Sequence, residues 1–236
     1  MNDPLILIPG LMSDARLFGQ QIVDLSRGRA VTVALPHPGN TIEEISGHIL
    51  AAAPARFALA GLGLGAHVAL DVMRRDLGRV SKVAFLSADP LGETPDAAAV
   101  REKRMILART GRLVQAMAEE LPPRALANLP GREDIMALVE DMALALGEEV
   151  FTAQSRALQR RRDQQKTLRR AAMPALVLAG AQDGLVPVRR QSFMAELMPS
   201  ARVQVIENAG HLLPLEQPEA VSRALQMFFD GPLILR

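Results

Sequence analysis

A chain of 236 residues with 49% hydrophobic composition falls in the range where one domain holds one large core, or a core plus a lid. Its 27 Lys and Arg residues nearly balance 26 Asp and Glu, giving a formal net charge of +1, so no global field draws nucleic acid or an anionic membrane. The absence of cysteine removes disulfides, thiolate zinc sites and cysteine nucleophiles together.

Residues 1–4 lack a basic n-region, and the apolar run Leu5 to Ile8 is too short for a signal peptide or membrane span. The chain therefore reads as a soluble cytoplasmic protein. Pro9-Gly10 stops that first run. Further apolar runs follow at Ala30–Leu35, Phe57–Ala60, Val83–Leu86, Ala175–Ala179 and Val203–Ile206, with amphipathic stretches between them. Near-continuous apolar strands separated by helical patterns predict a sheet covered on both faces. The expected fold is α/β: a doubly wound, mostly parallel six-stranded sheet with helices on both faces.

The stretch from about 91 to 170 breaks this alternation. Thr94-Pro95-Asp96 has the form of a helix start, and Thr110-Gly111 that of its end. Ile135, Leu138, Val139, Met142 and Leu146 recur at helical spacing until Gly147. These residues predict a helical lid inserted after the fourth strand of a single domain whose core is 1–90 and 171–236. Met12, Met136 and Met142 are expected to line an apolar substrate pocket beneath it. The plainer reading of Met117, Met136 and Met142 is ordinary packing of the lid on the core. The run Arg160-Arg161-Arg162-Asp163 reads as a solvated helix end, with phosphate or CoA binding as the lesser reading. A last helix, from about Pro218 to Phe229, closes the fold through Val221, Leu225 and Phe228.

Chemistry concentrates in Phe57–Leu70, where a strand enters a glycine-rich turn and then a helix. Gly61, Gly63 and Gly65 are spaced G-x-G-x-G, which misses the G-x-G-x-x-G dinucleotide fingerprint, and no Gly-Lys-Ser/Thr follows for a Walker loop. What remains is a nucleophile elbow, G-x-S-x-G, with glycine in the serine's place. Other segments in matching order are Ile8-Pro9-Gly10-Leu11-Met12, residues 180–187 (Gly180-Ala181-Gln182-Asp183 and on to Pro187), and Asn208-Ala209-Gly210-His211 followed by Leu215-Glu216-Gln217-Pro218-Glu219.

On these residues the chain resembles the α/β-hydrolase superfamily, in particular its lid-bearing, esterase-like branch, over nearly its whole length. The resemblance implies a catalytic centre of Gly63 at the nucleophile position, Asp183 as acid and His211 as base, in the family's chain order. It also implies an oxyanion hole from the Leu11 and Leu64 amides, with Met12 as a lesser second donor. Pro9 departs from the His-Gly that the family often carries in that loop. His37, His48 and His67 read as structural.

A glycine elbow carries no Oγ, so the implied esterase, thioesterase or amidase activity is weak, water-mediated or absent in this form. Two alternatives stay open: a non-catalytic, small-molecule-binding pseudo-hydrolase, and a lyase that uses His211 as base. Ser13 and Ser87 could reach the pocket mouth but neither occupies an elbow. The expected partner is a small apolar or acyl-type substrate or ligand, with no cofactor, no metal, no nucleic acid and no membrane. Oligomeric state leaves no mark in the sequence.

Overall fold

In the computed structural model, which describes residues 2–231, six strands form one sheet in the order β2-β1-β3-β4-β5-β6, with every neighbouring pair parallel. The strands are β1 (Leu5–Ile8), β2 (Val31–Val33), β3 (Phe57–Leu62), β4 (Val80–Leu86), β5 (Ala175–Gly180) and β6 (Ala201–Ile206). The parallel sheet expected from the apolar runs is the sheet observed. Its boundaries differ for physical reasons. β4 begins at Val80 because its polar residues are satisfied: Ser81 Oγ donates to the Phe57 carbonyl at 3.1 Å, and Lys82 Nζ donates to the Phe228, Phe229 and Gly231 carbonyls. β2 shrinks to three residues because it sits at the sheet edge and pairs with β1 alone.

Alternating side chains send each strand's residues to opposite faces. Leu5 and Leu7 enter one core with α1 (Gly19–Leu25), α10 (Pro218–Asp230) and residues such as Met105, Met117, Met142 and Phe151 from between β4 and β5; Ile6 and Ile8 enter the other with α2 (Ile42–Ala52), α3 (Leu64–Arg75) and α8 (Val188–Glu196). Helices thus cover both faces, and β1, β3 and β5 are apolar in both directions as a buried parallel sheet requires.

Between β4 and β5 lie α4 (Pro95–Arg109), α5 (Leu113–Glu120), α6 (Arg132–Gln159) and α7 (Gln165–Arg170). Thr94 caps α4 as expected, its side chain accepting the Ala97 amide, with Pro95 in the first turn. α6 continues beyond the expected stop: Gly147 adopts φ 84° and ψ 171°, which interrupts the helix, but a second segment resumes at once. That segment buries Phe151, Ala157 and Leu158. The short α9 (Leu213–Glu216) precedes α10. No helix among the described residues is long and apolar enough to cross a membrane.

Candidate active site

Strand order creates the site. The chain crosses from β2 at one edge back past β1 to β3, so the loops leaving β1 and β3 diverge from a common point at the carboxyl ends of the strands. Ile8 pairs with Gly61 in this register, which brings Leu11 and Leu64 to the same end of the sheet. Gly63 sits between β3 and α3 with φ 52° and ψ −112°, a conformation that L side chains rarely adopt, and its amide donates to the Leu86 carbonyl at 3.0 Å. A Cβ built at Gly63 would lie 3.5 Å from His211 Nε2, with no other atom within 4 Å.

Asp183 follows β5 and His211 follows β6, adjacent strands whose ends face this bend. His211 Nδ1 is 3.1 Å from each carboxylate oxygen of Asp183. The carboxylate is further fixed by the Leu185 and Val186 amides, each donating to Oδ1 at 2.9 Å, and by Gln191 Nε2 donating to Oδ2 at 3.2 Å. Burial pushes the Asp183 carboxyl up, but the charge and hydrogen bond of His211 and the two amides outweigh it and hold the pKa below its ordinary 3.8. An ionised Asp183 makes Nδ1 the protonated nitrogen and leaves Nε2 to accept a proton.

Glu216, whose segment matches the family after His211 but whose carboxylate has no role assigned by that match, locks this loop. Its carboxylate accepts the amides of Gly210 at 2.8 Å and Leu212 at 2.9 Å, the residues on either side of His211, and of Ala127 at 2.7 Å. The His211 amide itself donates to the Ala125 carbonyl at 2.8 Å. Burial raises the Glu216 pKa against the lowering effect of these bonds. The available signal was its place in the first turn of a Pro-initiated helix five residues after the histidine.

Among the described residues the Leu11 and Leu64 amides donate no hydrogen bond, and both residues line the same cavity as Gly63 and His211. Leu64 begins α3, where backbone N–H groups have no partner within the helix. The Met12 amide is unavailable: it donates to Gln154 Oε1 at 2.8 Å.

The cavity, about 290 Å³, is not the apolar, methionine-lined pocket expected from the sequence. Met12 and Met142 are fully buried in the core, because the turn after β1 points Met12 inward and the α6 stripe packs against α4 and α5. Met136 is partly buried against that same core; of the methionines considered, Met117 alone lines the cavity. Its wall is instead rich in charge, and Ser13, Ser87 and His67 also contribute. Arg161, expected to be solvated, turns inward: its Nη1 pairs with Glu93 and its Nε donates to the Leu91 carbonyl at 3.1 Å. His67, read as structural, reaches the cavity too. Burial, with Arg161 and Arg101 nearby, pushes its pKa well below the usual histidine range, so the ring is neutral.

A parallel sheet whose strand ends hold a carboxylate-steered imidazole above a sharp strand-to-helix turn defines a class of doubly wound α/β proteins with their chemistry at the strand C-termini. A sequence profile of the alpha/beta hydrolase family matches residues 5–224, and the chain belongs to that family. It is 34% identical over 105 residues to the pimeloyl-(acyl-carrier protein) methyl ester esterase of Xanthomonas axonopodis pv. citri, covering 44% of this chain and 41% of that protein. The first curated relatives are matched over only 23% to 66% of their own lengths. Among solved structures, an esterase from Thermogutta terrifontis with malate bound superposes with a TM-score of 0.88 at 24% identity, covering 99% of this chain and 92% of that one. An enol-lactonase from Burkholderia xenovorans LB400 gives 0.86 at 21% identity, over 98% and 93%. At these identities the structures show the shared fold.

Proposed function

We propose that the chain hydrolyses a small carboxylic ester, thioester or amide by direct attack of water, with His211 as general base and Asp183 steering it. The observation that carries this reading is the space at Gly63: a side chain there would meet His211 Nε2 at 3.5 Å and nothing else. In a serine enzyme that space holds the Oγ; here it has room for a water oxygen beside the base. The water oxygen bonds to the carbonyl carbon as its proton passes to Nε2. The carbonyl oxygen takes up negative charge facing the Leu11 and Leu64 amides. On collapse the bond to the leaving alkoxide, thiolate or amine breaks, the imidazolium returns its proton to that group, and acid and alcohol, thiol or amine depart.

Support also comes from the family and from relatives named for ester cleavage. The segment between β4 and β5 serves as the lid, since Arg101 and Arg104 of α4, Met117 and Glu120 of α5 and Val139 of α6 line the cavity. Without an acyl-enzyme the expected rate is low. Oxyanion stabilisation and binding alone leave roughly 10³–10⁴-fold acceleration over water in serine-triad precedent.

The test is release of nitrophenolate from 4-nitrophenyl acetate. The expected trace is linear from the first turnover, with no burst, and falls to the buffer rate in His211→Ala. A chain whose rate equals that of His211→Ala would contradict the proposal.

A further inference from the structure

The cavity wall opposite the sheet holds more cation than it neutralises. Glu120 pairs with two guanidinium groups, Arg101 Nη1 at 2.9 Å and Arg104 Nη1 at 2.6 Å. Glu93 pairs with Arg161 and, at 3.5 Å, with Arg101 Nη2. Three guanidiniums thus share two carboxylates, and all five side chains are at most 20% exposed. Burial favours a neutral Glu120, but Arg101 and Arg104 override it and hold the pKa below its ordinary value, so this carboxylate is already ionised. The nearby Asp89 has its own partner in exposed Arg190 at 3.6 Å and also accepts the Leu91 amide. Neutral His67 adds no charge.

Donors are in surplus as well. Each guanidinium carries five N–H groups. Among the described residues, Arg101 Nε and Arg104 Nε are buried without a partner, and Ser87 Oγ, fully buried on the same cavity, has none either. A buried cation and unpaired donors are costly unless an anion meets them. The imbalance is one charge, which matches a carboxylate better than a phosphate dianion. The cavity volume, at the small end for ligand sites, limits the ligand to a short chain.

We infer that the substrate is the half-ester, half-thioester or half-amide of a short dicarboxylic acid, its free carboxylate held by Arg101, Arg104 and Arg161 while its scissile carbonyl lies at Gly63 and His211. This rests on the hydrolase reading for the scissile end only; the anion site stands on the arginine cluster.

The experiment has a binding arm and a kinetic arm. In the first, valerate, the neutral pentan-1-ol and inorganic phosphate are titrated into the chain by calorimetry. Valerate, which carries the one negative charge the cluster lacks, is expected to bind at least about tenfold tighter than either comparator, and that preference is lost in Arg104→Gln, with Arg104→Lys restoring part of it. In the second, Gly63→Ser is given 4-nitrophenyl hydrogen glutarate and 4-nitrophenyl valerate. A kcat/KM at least about tenfold higher for the acidic ester is expected, falling toward parity when Arg104→Gln is added. Circular dichroism establishes that the variants are folded; should Arg104→Gln fail to fold, Arg161→Gln takes its place. Equal binding of valerate and pentan-1-ol, or tighter binding of phosphate, would overturn the anion site whatever the turnover. Selective valerate binding with neither ester cleaved would uphold the site and overturn the hydrolase reading instead.

Discussion

At the scale of single residues, the centre depends on what Gly63 lacks and on how firmly Asp183 is held. The positive φ at 63 is strained for any side chain, so the glycine relaxes a bend that a serine would occupy under about 1–3 kcal/mol of strain. Asp183 contributes in a pH-dependent way. Its folded pKa lies below 3.8, so the stability it adds is complete above that value and is lost as pH falls through the folded pKa. Asp183→Asn should therefore melt at a lower temperature than the parent at pH 7, and the gap should close on acidification below pH 3.8. Melting curves from pH 7 to pH 3 read this directly, since the remaining carboxylates are common to both chains; a gap that stays constant would show that Asp183 is not held ionised. Asp183 and His211 were legible as residues because each follows an apolar strand in a turn of fixed order. Glu216 was not, because its three amide partners come from Ala127 and from both sides of His211, and only the folded chain brings them to one carboxylate.

At the scale of elements, helix starts and strand cores could be read from local chemistry, and stops could not always. Thr94-Pro95 marked the start of α4 because capping and a fixed φ are local properties. Gly147 looked like a terminus by the same logic, yet α6 resumes because Phe151, Ala157 and Leu158 find a core to bury in, and tertiary burial outweighs one local break. The interruption has a cost of its own for any other residue. With φ 84° and ψ 171°, position 147 lies in a region almost reserved for glycine, and a Cβ there would meet nothing within 4 Å. Gly147→Ala should thus destabilise by about 1–3 kcal/mol through backbone conformation alone. Urea unfolding of the variant measures it; an unchanged or raised midpoint would mean that the break straightens without penalty.

Over the whole molecule, the parallel sheet, its two covered faces and the meeting of loops at the strand ends followed from six apolar runs and their order. The character of the cavity did not. Arg101 and Arg104 sit on one helix, Glu120 on the next and Arg161 beyond a third, and each alone resembles a solvated charge. Only the packing of the β4–β5 segment over the strand ends gathers them into a buried cluster, and the same packing sends Met12 and Met142 into the core. Met136 and Met142 thus follow the plainer packing reading, and Met117 of that stripe reaches the cavity. What unites these scales is one arrangement, an imidazole aimed at an unfilled position on a sharp turn. It is tested most directly by placing a hydroxyl at that position and asking whether it reacts. Gly63→Ser, exposed to a fluorophosphonate probe, should gain one adduct that mass spectrometry places on residue 63, and the adduct should vanish when His211→Ala is added. A folded Gly63→Ser that stays unlabelled, or labels equally without His211, would contradict the account.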